Sequence, residues 1–174
     1  MRFKIKKSGS YKFSKKYLDL IANSKVYDVA EKTPITFAGN LSSKLKNDVY
    51  LKREDMQPIF SFKIRGAYNK IANLSLQQQK RGVLTASAGN HAQGVANACK
   101  KLRVPCFIVM PLTTPEIKVK SVKRFGSKVL LHGDNFDQAS KKAMQMAKEQ
   151  KLEFIEAFDD PLTIGGQELL EKKS

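Results

Sequence analysis

From about residue 62 onward, segments with apolar residues at helical spacing alternate with short runs of apolar residues. Helical spacing predicts four helices, at Phe62–Leu74, Asn90–Leu102, Pro115–Phe125 and Phe136–Gln150. Short apolar runs predict four strands, at Gly82–Thr85, Val104–Met110, Lys128–Leu131 and Leu152–Glu156. Because strands and helices alternate, right-handed crossovers would make the strands parallel and bury them between helices. The pattern therefore predicts an α/β unit with a four-stranded parallel sheet.

The remaining segments are less regular. Helical spacing predicts one helix over Tyr17–Thr33, which ends at the break before Pro34. Ile35–Phe37 and Val49–Leu51 are typical of short strands around a polar connection, and Gln77–Lys80 is typical of a polar turn. Helix caps are predicted at Asp134, Asn135 and Asp137, and a structural role at a domain junction is predicted for Lys52, Arg53, Glu54 and Asp55.

Length and charge narrow the class of protein. The 174 residues suffice for one good core, or for one domain with part of another. A net charge of +16 makes nucleic acid a candidate partner, but the lysines are dispersed and no recognition motif accompanies them. The sequence has no apolar run of membrane-spanning length and no secretory signal. We therefore expect a cytoplasmic protein that binds neither nucleic acid nor membrane, although its field attracts anions.

Two cysteines, Cys99 and Cys106, fall on apolar positions of a predicted helix and a predicted strand. Both are therefore expected to be buried thiols that behave as small hydrophobic residues. Their number and spacing indicate neither a metal site nor a disulfide framework.

Lys63 follows an extended polar segment and stands where a helix should begin. The positive end of a helix dipole and partial burial both lower the pKa of a lysine, which favours the nucleophilic amine. Such an amine can form a Schiff base. The alternative is a solvated surface charge, which is the commoner role of lysine.

A glycine turn follows the first predicted strand of the sheet. Its residues, Thr85–Gly94, read TASAGNHAQG and lead from the strand into a helix. The first N–H groups of a helix lack partners within the helix, so this arrangement stabilises a carboxylate or a phosphate.

Together these segments resemble the fold-type II family of pyridoxal-phosphate enzymes, and within it the biosynthetic threonine dehydratases. The resemblance runs from about residue 17 to residue 167. It also includes Val109–Pro111, Ile117–Val119, Val129–Asp137, Phe158–Pro161 and Ile164–Gln167. It implies a tryptophan synthase β-like fold, with a small domain at residues 60–157 and parts of a large domain at residues 1–59 and 158–174. Family members are considerably longer, so we expect a truncated chain with an incomplete large domain.

The resemblance also implies the roles of individual residues. Lys63 would bind pyridoxal 5'-phosphate as a Schiff base and later act as the base at the substrate Cα, without a metal. Phe62 would pack near the cofactor ring, and Asn90 would bind its 3-hydroxyl group. Ser87, Gly89, Asn90 and His91 would receive the substrate carboxylate. From the residues alone, Asn90 could instead cap a helix, and a local structural role is favoured for His91.

The implied reaction is β-elimination and hydrolysis of L-threonine to 2-oxobutanoate and ammonia, or of L-serine to pyruvate, as the first step of isoleucine biosynthesis. Ala88 stands where related serine racemases carry a second serine, so elimination is expected rather than racemisation. The partner would be a small amino acid, within a possible homo-oligomer. The family's phosphate-binding glycine loop would lie downstream of residue 174, so a non-catalytic remnant or a partner-dependent fragment is the alternative.

Overall fold

A computed structural model of the chain describes residues 15–172, apart from the side chains of residue 16 and residues 169–172. Strands β1 (Ile35–Phe37) and β2 (Tyr50–Lys52) form an antiparallel pair. Strands β3 (Val83–Ala86), β4 (Cys106–Met110), β5 (Lys128–Leu131) and β6 (Glu153–Phe154) form a parallel sheet in the order β5-β4-β3-β6. The predicted α/β unit with a four-stranded parallel sheet is confirmed.

Eight α-helices complete the described part of the chain. They are α1 (Lys15–Ala22), α2 (Gly39–Leu45), α3 (Lys63–Ala72), α4 (Leu76–Arg81), α5 (Asn90–Leu102), α6 (Glu116–Lys123), α7 (Phe136–Glu149) and α8 (Pro161–Lys172). Short 3₁₀ helices lie at Val26–Asp28 and Glu54–Met56. None of the described helices is long and apolar enough to cross a membrane.

Helices cover both faces of the central strands β3 and β4. Successive side chains of a strand point to opposite faces, so each of these strands contributes to two buried clusters. On one face Val83 and Ile108 share a buried cluster with Val95 of α5. On the other, Leu84 and Val109 share one with apolar residues of α7. Strand β5 is not buried between helices as the sequence predicts. It is an edge strand, and Leu130 and Leu131 are exposed.

Two sequence predictions about local structure are wrong. The segment Tyr17–Thr33 is not one helix: α1 ends at Ala22, where the Asn23 amide and the Ser24 hydroxyl donate to backbone carbonyls of the last turn. The predicted turn at Gln77–Lys80 lies inside α4, which Ser75 and Gln78 begin as a reciprocal capping box. The polar connection between β1 and β2 contains α2.

The caps predicted for α7 are only partly correct. Asn135 is the N-cap, and its side chain accepts a hydrogen bond from the Gln138 N–H. Asp137 lies within the first turn, and the Asp134 N–H donates a hydrogen bond to Gln138 Oε1. The predicted division into domains at residues 59/60 and 157/158 stays a prediction, and residues 1–14, 173 and 174 lie outside the described part.

Helix α3 lies at the centre of the helical packing, in contact with α5 and α8. Two glycines allow the close crossing of α3 and α8. A Cβ atom on Gly66 would lie 2.7 Å from the Thr163 carbonyl oxygen, and one on Gly166 would lie 2.8 Å from the Arg65 carbonyl oxygen. Side chains at these positions would force the helices apart, so the two glycines fix where α8 passes over the start of α3.

Candidate functional site

Lys63 is the first residue of α3, as the sequence predicts. The Ser61 hydroxyl accepts a hydrogen bond from the Lys63 N–H at 3.2 Å, which satisfies one of the unpaired donors at the start of the helix. Gly94 of α5 packs directly on the Lys63 backbone. The backbone that carries this lysine is therefore held from both sides.

The Lys63 amine is half-buried and has no carboxylate within ion-pair distance among the described residues. Its Nζ donates to the Ala157 carbonyl oxygen at 3.0 Å and to Gln167 Oε1 at 3.4 Å. It lies 4.2 Å from the ring centroid of Phe158 and 5.3 Å from that of Phe62. Burial lowers the pKa of Lys63, in the direction expected from the sequence. The neutral, nucleophilic form is thereby favoured.

The glycine turn leaves the carboxyl end of β3 and enters α5. Ser87 continues the pairing with β4, since its N–H donates to the Val109 carbonyl, and its hydroxyl accepts from the Gly89 N–H at 3.2 Å. Gly89 is the N-cap residue and Asn90 the first residue of α5. The alternative of Asn90 as a helix cap is therefore wrong. Its side chain is exposed and makes no hydrogen bond to another described residue, which leaves the amide available to a ligand.

His91 lies in the first turn of α5 and is 5% exposed. Its Nε2 lies 3.1 Å from the Ile155 carbonyl oxygen. A carbonyl can only accept, so Nε2 carries the proton and Nδ1 of the neutral ring is an acceptor, which has no hydrogen-bond partner within the described chain. Burial, with a smaller contribution from the nearby Lys63 charge, lowers the pKa of His91 to about 4, although the hydrogen bond to Ile155 acts in the opposite direction. The hydrogen-bond partner of His91 is thus 64 residues away rather than local.

The segment that follows β6 brings the lysine and the turn together. Its Ile155 carbonyl receives His91 and also the Thr85 hydroxyl at 2.8 Å, while its Ala157 carbonyl receives Lys63. A cavity of about 260 Å³ borders the same segment and the end of β3. The sequence predicts none of these roles, although Phe158 and Gln167 lie in two of the segments that carry the family resemblance.

A buried ion pair anchors α3 just beyond Lys63. Arg65, 1% exposed, donates from Nε and Nη2 to the two carboxylate oxygens of Glu54 at 2.9 and 3.0 Å. Thr33 and Gln57 donate to the same carboxylate. Burial alone would raise the pKa of Glu54, but the hydrogen bonds, that from Arg65 first, outweigh it and lower the pKa. Nothing in the sequence singles out Arg65, because charged residues are seldom fully buried.

These groups fit a ligand that carries an aldehyde, a polar ring substituent and an acid group. Lys63 offers a desolvated amine for the aldehyde, and Asn90 offers an unpaired amide for the ring substituent. The first N–H groups of the 13-residue helix α5 have no partner within the helix, so they can bind an anion. Pyridoxal phosphate and an amino acid together have these features.

Comparison with known proteins identifies the family. The model of the family described as "Pyridoxal-phosphate dependent enzyme" matches residues 26–170. The chain is 52% identical over 163 residues to the biosynthetic L-threonine dehydratase of Pasteurella multocida, and 55% identical over 151 residues to the mitochondrial threonine dehydratase of Schizosaccharomyces pombe. These alignments take in 91% and 87% of this chain but 32% and 25% of the relatives. The chain thus spans about a third or less of their length.

A solved structure supports the same assignment. The processed form of threonine deaminase isoform 2 from Solanum lycopersicum matches with a TM-score of 0.86 at 48% identity, over 90% of this chain and 46% of that one. The predicted fold-type II architecture, present here in part, is thereby confirmed. This chain belongs to the family of pyridoxal-phosphate dependent enzymes.

Proposed function

We propose that the chain is the lysine-bearing part of a pyridoxal-phosphate-dependent threonine dehydratase. In this function L-threonine yields 2-oxobutanoate and ammonia, and L-serine yields pyruvate and ammonia, as the first step of isoleucine biosynthesis. The observation that carries the proposal is the environment of Lys63: a desolvated amine at the start of α3, without a carboxylate partner within the described residues and linked through residues 155–157 to the turn that begins α5.

Lys63, Phe62 and Asn90 are the residues that would hold the cofactor. Lys63 supplies the amine that binds the aldehyde, and Phe62 supplies an apolar surface beside it. The exposed Asn90 amide binds the ring hydroxyl. When bound, pyridoxal phosphate supplies an electron sink for the pair left behind when a proton leaves the substrate Cα.

Proton transfer in the proposed reaction rests on the Lys63 amine. Because burial lowers its pKa, Nζ is better able than a solvated lysine to accept the proton from the substrate Cα. The Ala157 carbonyl and Gln167 accept hydrogen bonds from Nζ and hold the ammonium after that transfer. The rings of Phe158 and Phe62 lie beside the same nitrogen.

Ser87, Gly89, Asn90 and His91 would receive the substrate carboxylate, chiefly through backbone N–H groups at the start of α5. Neutral His91 keeps the first turn in place through Ile155 and takes no part in proton transfer. Ala88 has no group that can carry a proton, so the chain provides no second base there. Elimination is therefore proposed rather than racemisation.

The alternative function named from the sequence stays a prediction. In this alternative the chain folds without catalysing the reaction, or catalyses it only with a complementary polypeptide. Homo-oligomerisation and a cytoplasmic location stay predictions in both cases.

Complementation distinguishes a chain that takes part in catalysis from a non-catalytic one. The chain is co-expressed with a polypeptide carrying the part of a threonine dehydratase that this chain does not match, and ammonia and 2-oxo acid are measured with L-threonine and L-serine. We expect activity from the complemented pair and none with Lys63→Arg. Ala88→Ser should add racemisation of serine to the pair. A folded, cofactor-saturated complex that releases no ammonia would favour the non-catalytic alternative.

A further inference from the structure

Helix α3 presents two lysines to α8 and to the residue before α8, and each lysine meets a different group. Lys63 lies at the start of α3, and Lys70 lies about two turns further along the same face. The Lys70 amine forms an ion pair with Asp160 at 2.8 Å. The Lys63 amine donates to Gln167 Oε1 at 3.4 Å, and this oxygen belongs to an uncharged amide. The contact between the helices thus has a carboxylate at one end and an amide at the other.

Gly66 makes room for the Gln167 side chain. A Cβ atom on Gly66 would lie 2.6 Å from Gln167 Nε2 and 2.8 Å from Gln167 Cγ, so the glutamine occupies the space that a larger residue would need. Gly66 is about one turn beyond Lys63, on the same face of α3. Because Nε2 lies over the glycine, Oε1 is the atom of the amide that reaches the lysine. The close approach of the two helices therefore fixes where the amide lies.

Neighbouring charged groups do not pair with Lys63. Helix α5 has no acidic residue, and its His91 is neutral at pH 7 because the pKa of the ring is about 4. On α3 itself, Arg65 and Lys70 each pair with a carboxylate. The acidic side chains described on α8 and on the segment before it all lie beyond ion-pair distance of the Lys63 amine. They are Glu156, Asp159, Asp160 and Glu168.

An amide and a carboxylate act differently on a lysine. A carboxylate within about 4–6 Å favours the ammonium form and raises the pKa of the amine by about one to three pH units. An amide oxygen accepts a hydrogen bond without adding a charge. Only the neutral amine attacks an aldehyde, so a carboxylate at the position of Gln167 would oppose the reactivity that burial gives to Lys63.

We propose that Gln167 is a positioning residue for Lys63, whose amide holds the amine beside residues 155–157 without supplying a countercharge. The inference rests on the proposed function, in which this amine must meet the cofactor aldehyde. It assigns the difference between the two lysines to one side chain, since Gln167 holds one of them and Asp160 the other.

A pH titration tests the charge, and it needs no cofactor. The Lys63 amine is followed by NMR in the whole chain with isotope-labelled lysine, and Lys63→Arg assigns its signal. Gln167→Glu should raise the titration midpoint of Lys63 by at least about one pH unit, because it places a carboxylate beside the amine. The double variant Gln167→Glu with Glu168→Gln keeps the net charge and should show the same rise. Gln167→Met, of similar length, should not raise the midpoint.

The rate of reaction with pyridoxal phosphate tests the positioning. Lys63 is trapped with borohydride after short incubations, and its label is measured by peptide mapping. At neutral pH, Gln167→Glu should react at least about tenfold more slowly than the parent chain and recover as the pH rises. Above the midpoints of all variants the amine is neutral in each of them. There Gln167→Met should still react more slowly than the parent, because the amine is no longer held.

The outcomes separate this inference from the proposed function. Circular dichroism and urea unfolding first establish that each variant is folded. An unmoved Lys63 midpoint in Gln167→Glu, or labelling of Gln167→Met as fast as that of the parent above the midpoints, would overturn the role of Gln167. Either result would leave the proposed function standing, provided that the parent chain is labelled selectively at Lys63. A parent without selective label would contradict the proposed function, and the titration would still decide whether Gln167 controls the charge of Lys63.

Discussion

A methyl group built on Gly94 would lie 2.9 Å from the carbonyl oxygen of Lys63. The neighbour at this contact is backbone in the first turn of α3, which cannot rotate away as a side chain can. The position of the lysine proposed to react therefore depends on Gly94, a residue without a side chain on the neighbouring helix α5. The same contact accounts for the close packing of α5 against α3.

Gly94→Ala should therefore destabilise the chain although alanine is the better helix former. The gain in helix propensity is about 1 kcal/mol, whereas overpacking costs about 1–3 kcal/mol. We expect a lower free energy of unfolding in urea. Gly39→Ala is the matched control, since the nearest atom to an added methyl there is 3.7 Å away. If Gly94→Ala proved as stable as Gly39→Ala, the close contact with Lys63 would not exist.

Glu54→Ala should be strongly destabilising, because it leaves the buried Arg65 without its carboxylate. Breaking a buried ion pair of this kind typically costs about 3–5 kcal/mol. Urea unfolding measures the loss. Asp55→Ala removes the neighbouring carboxylate, whose pair with Arg53 is exposed, and should change stability little. Similar effects of the two substitutions would contradict the burial of the Glu54–Arg65 pair.

The stability of the chain should rise with pH between about pH 4 and 6.5, partly because of His91. Its pKa is about 4 when folded and 6.5 in the unfolded chain, so within this interval the unfolded state binds the proton and the folded state does not. The contribution is complete above pH 6.5 and is lost as the pH falls towards 4, by at most about 3 kcal/mol.

Two variants separate the contribution of His91 to the pH dependence of stability from the contribution of the carboxylates. His91→Gln keeps a donor for the Ile155 carbonyl and removes the titration, so the dependence of unfolding free energy on pH should flatten in this interval. His132, the second histidine, is exposed, and His132→Gln should leave the parent profile unchanged. An unchanged profile in His91→Gln would mean that His91 is not held neutral.

Much of the order of elements could be predicted from sequence, because apolar periodicity records which faces are buried. The strands of the sheet and the placement of Lys63 at a helix start follow from such patterns. Helix α4 was not predicted, since its stability comes from a capping box in a polar sequence rather than from an apolar face. The break after Ala22 depends on competing side-chain hydrogen bonds that periodicity does not register.

The two motifs of the site could be predicted from the sequence, but the contacts that join them could not. Lys63 and the turn at residues 87–91 could be singled out, whereas their common attachment to residues 155–157 joins positions more than 60 residues apart. Such contacts arise from the sheet order, which puts β6 beside β3. Arg65 was missed because only the folded chain shows that it pairs with Glu54, whose carboxylate Thr33 and Gln57 also hold.

The most direct test of the reactive lysine is reduction with borohydride after incubation with pyridoxal phosphate, followed by peptide mapping of the label. Lys70 is the internal control, because it lies on the same helix but forms an ion pair with Asp160 at 2.8 Å. We predict that the pyridoxyl label on Lys63 exceeds that on Lys70 and on surface lysines by at least about tenfold, and that Lys63→Arg abolishes the selective label. Label spread evenly over these lysines would contradict the assignment of Lys63 as the cofactor-binding residue.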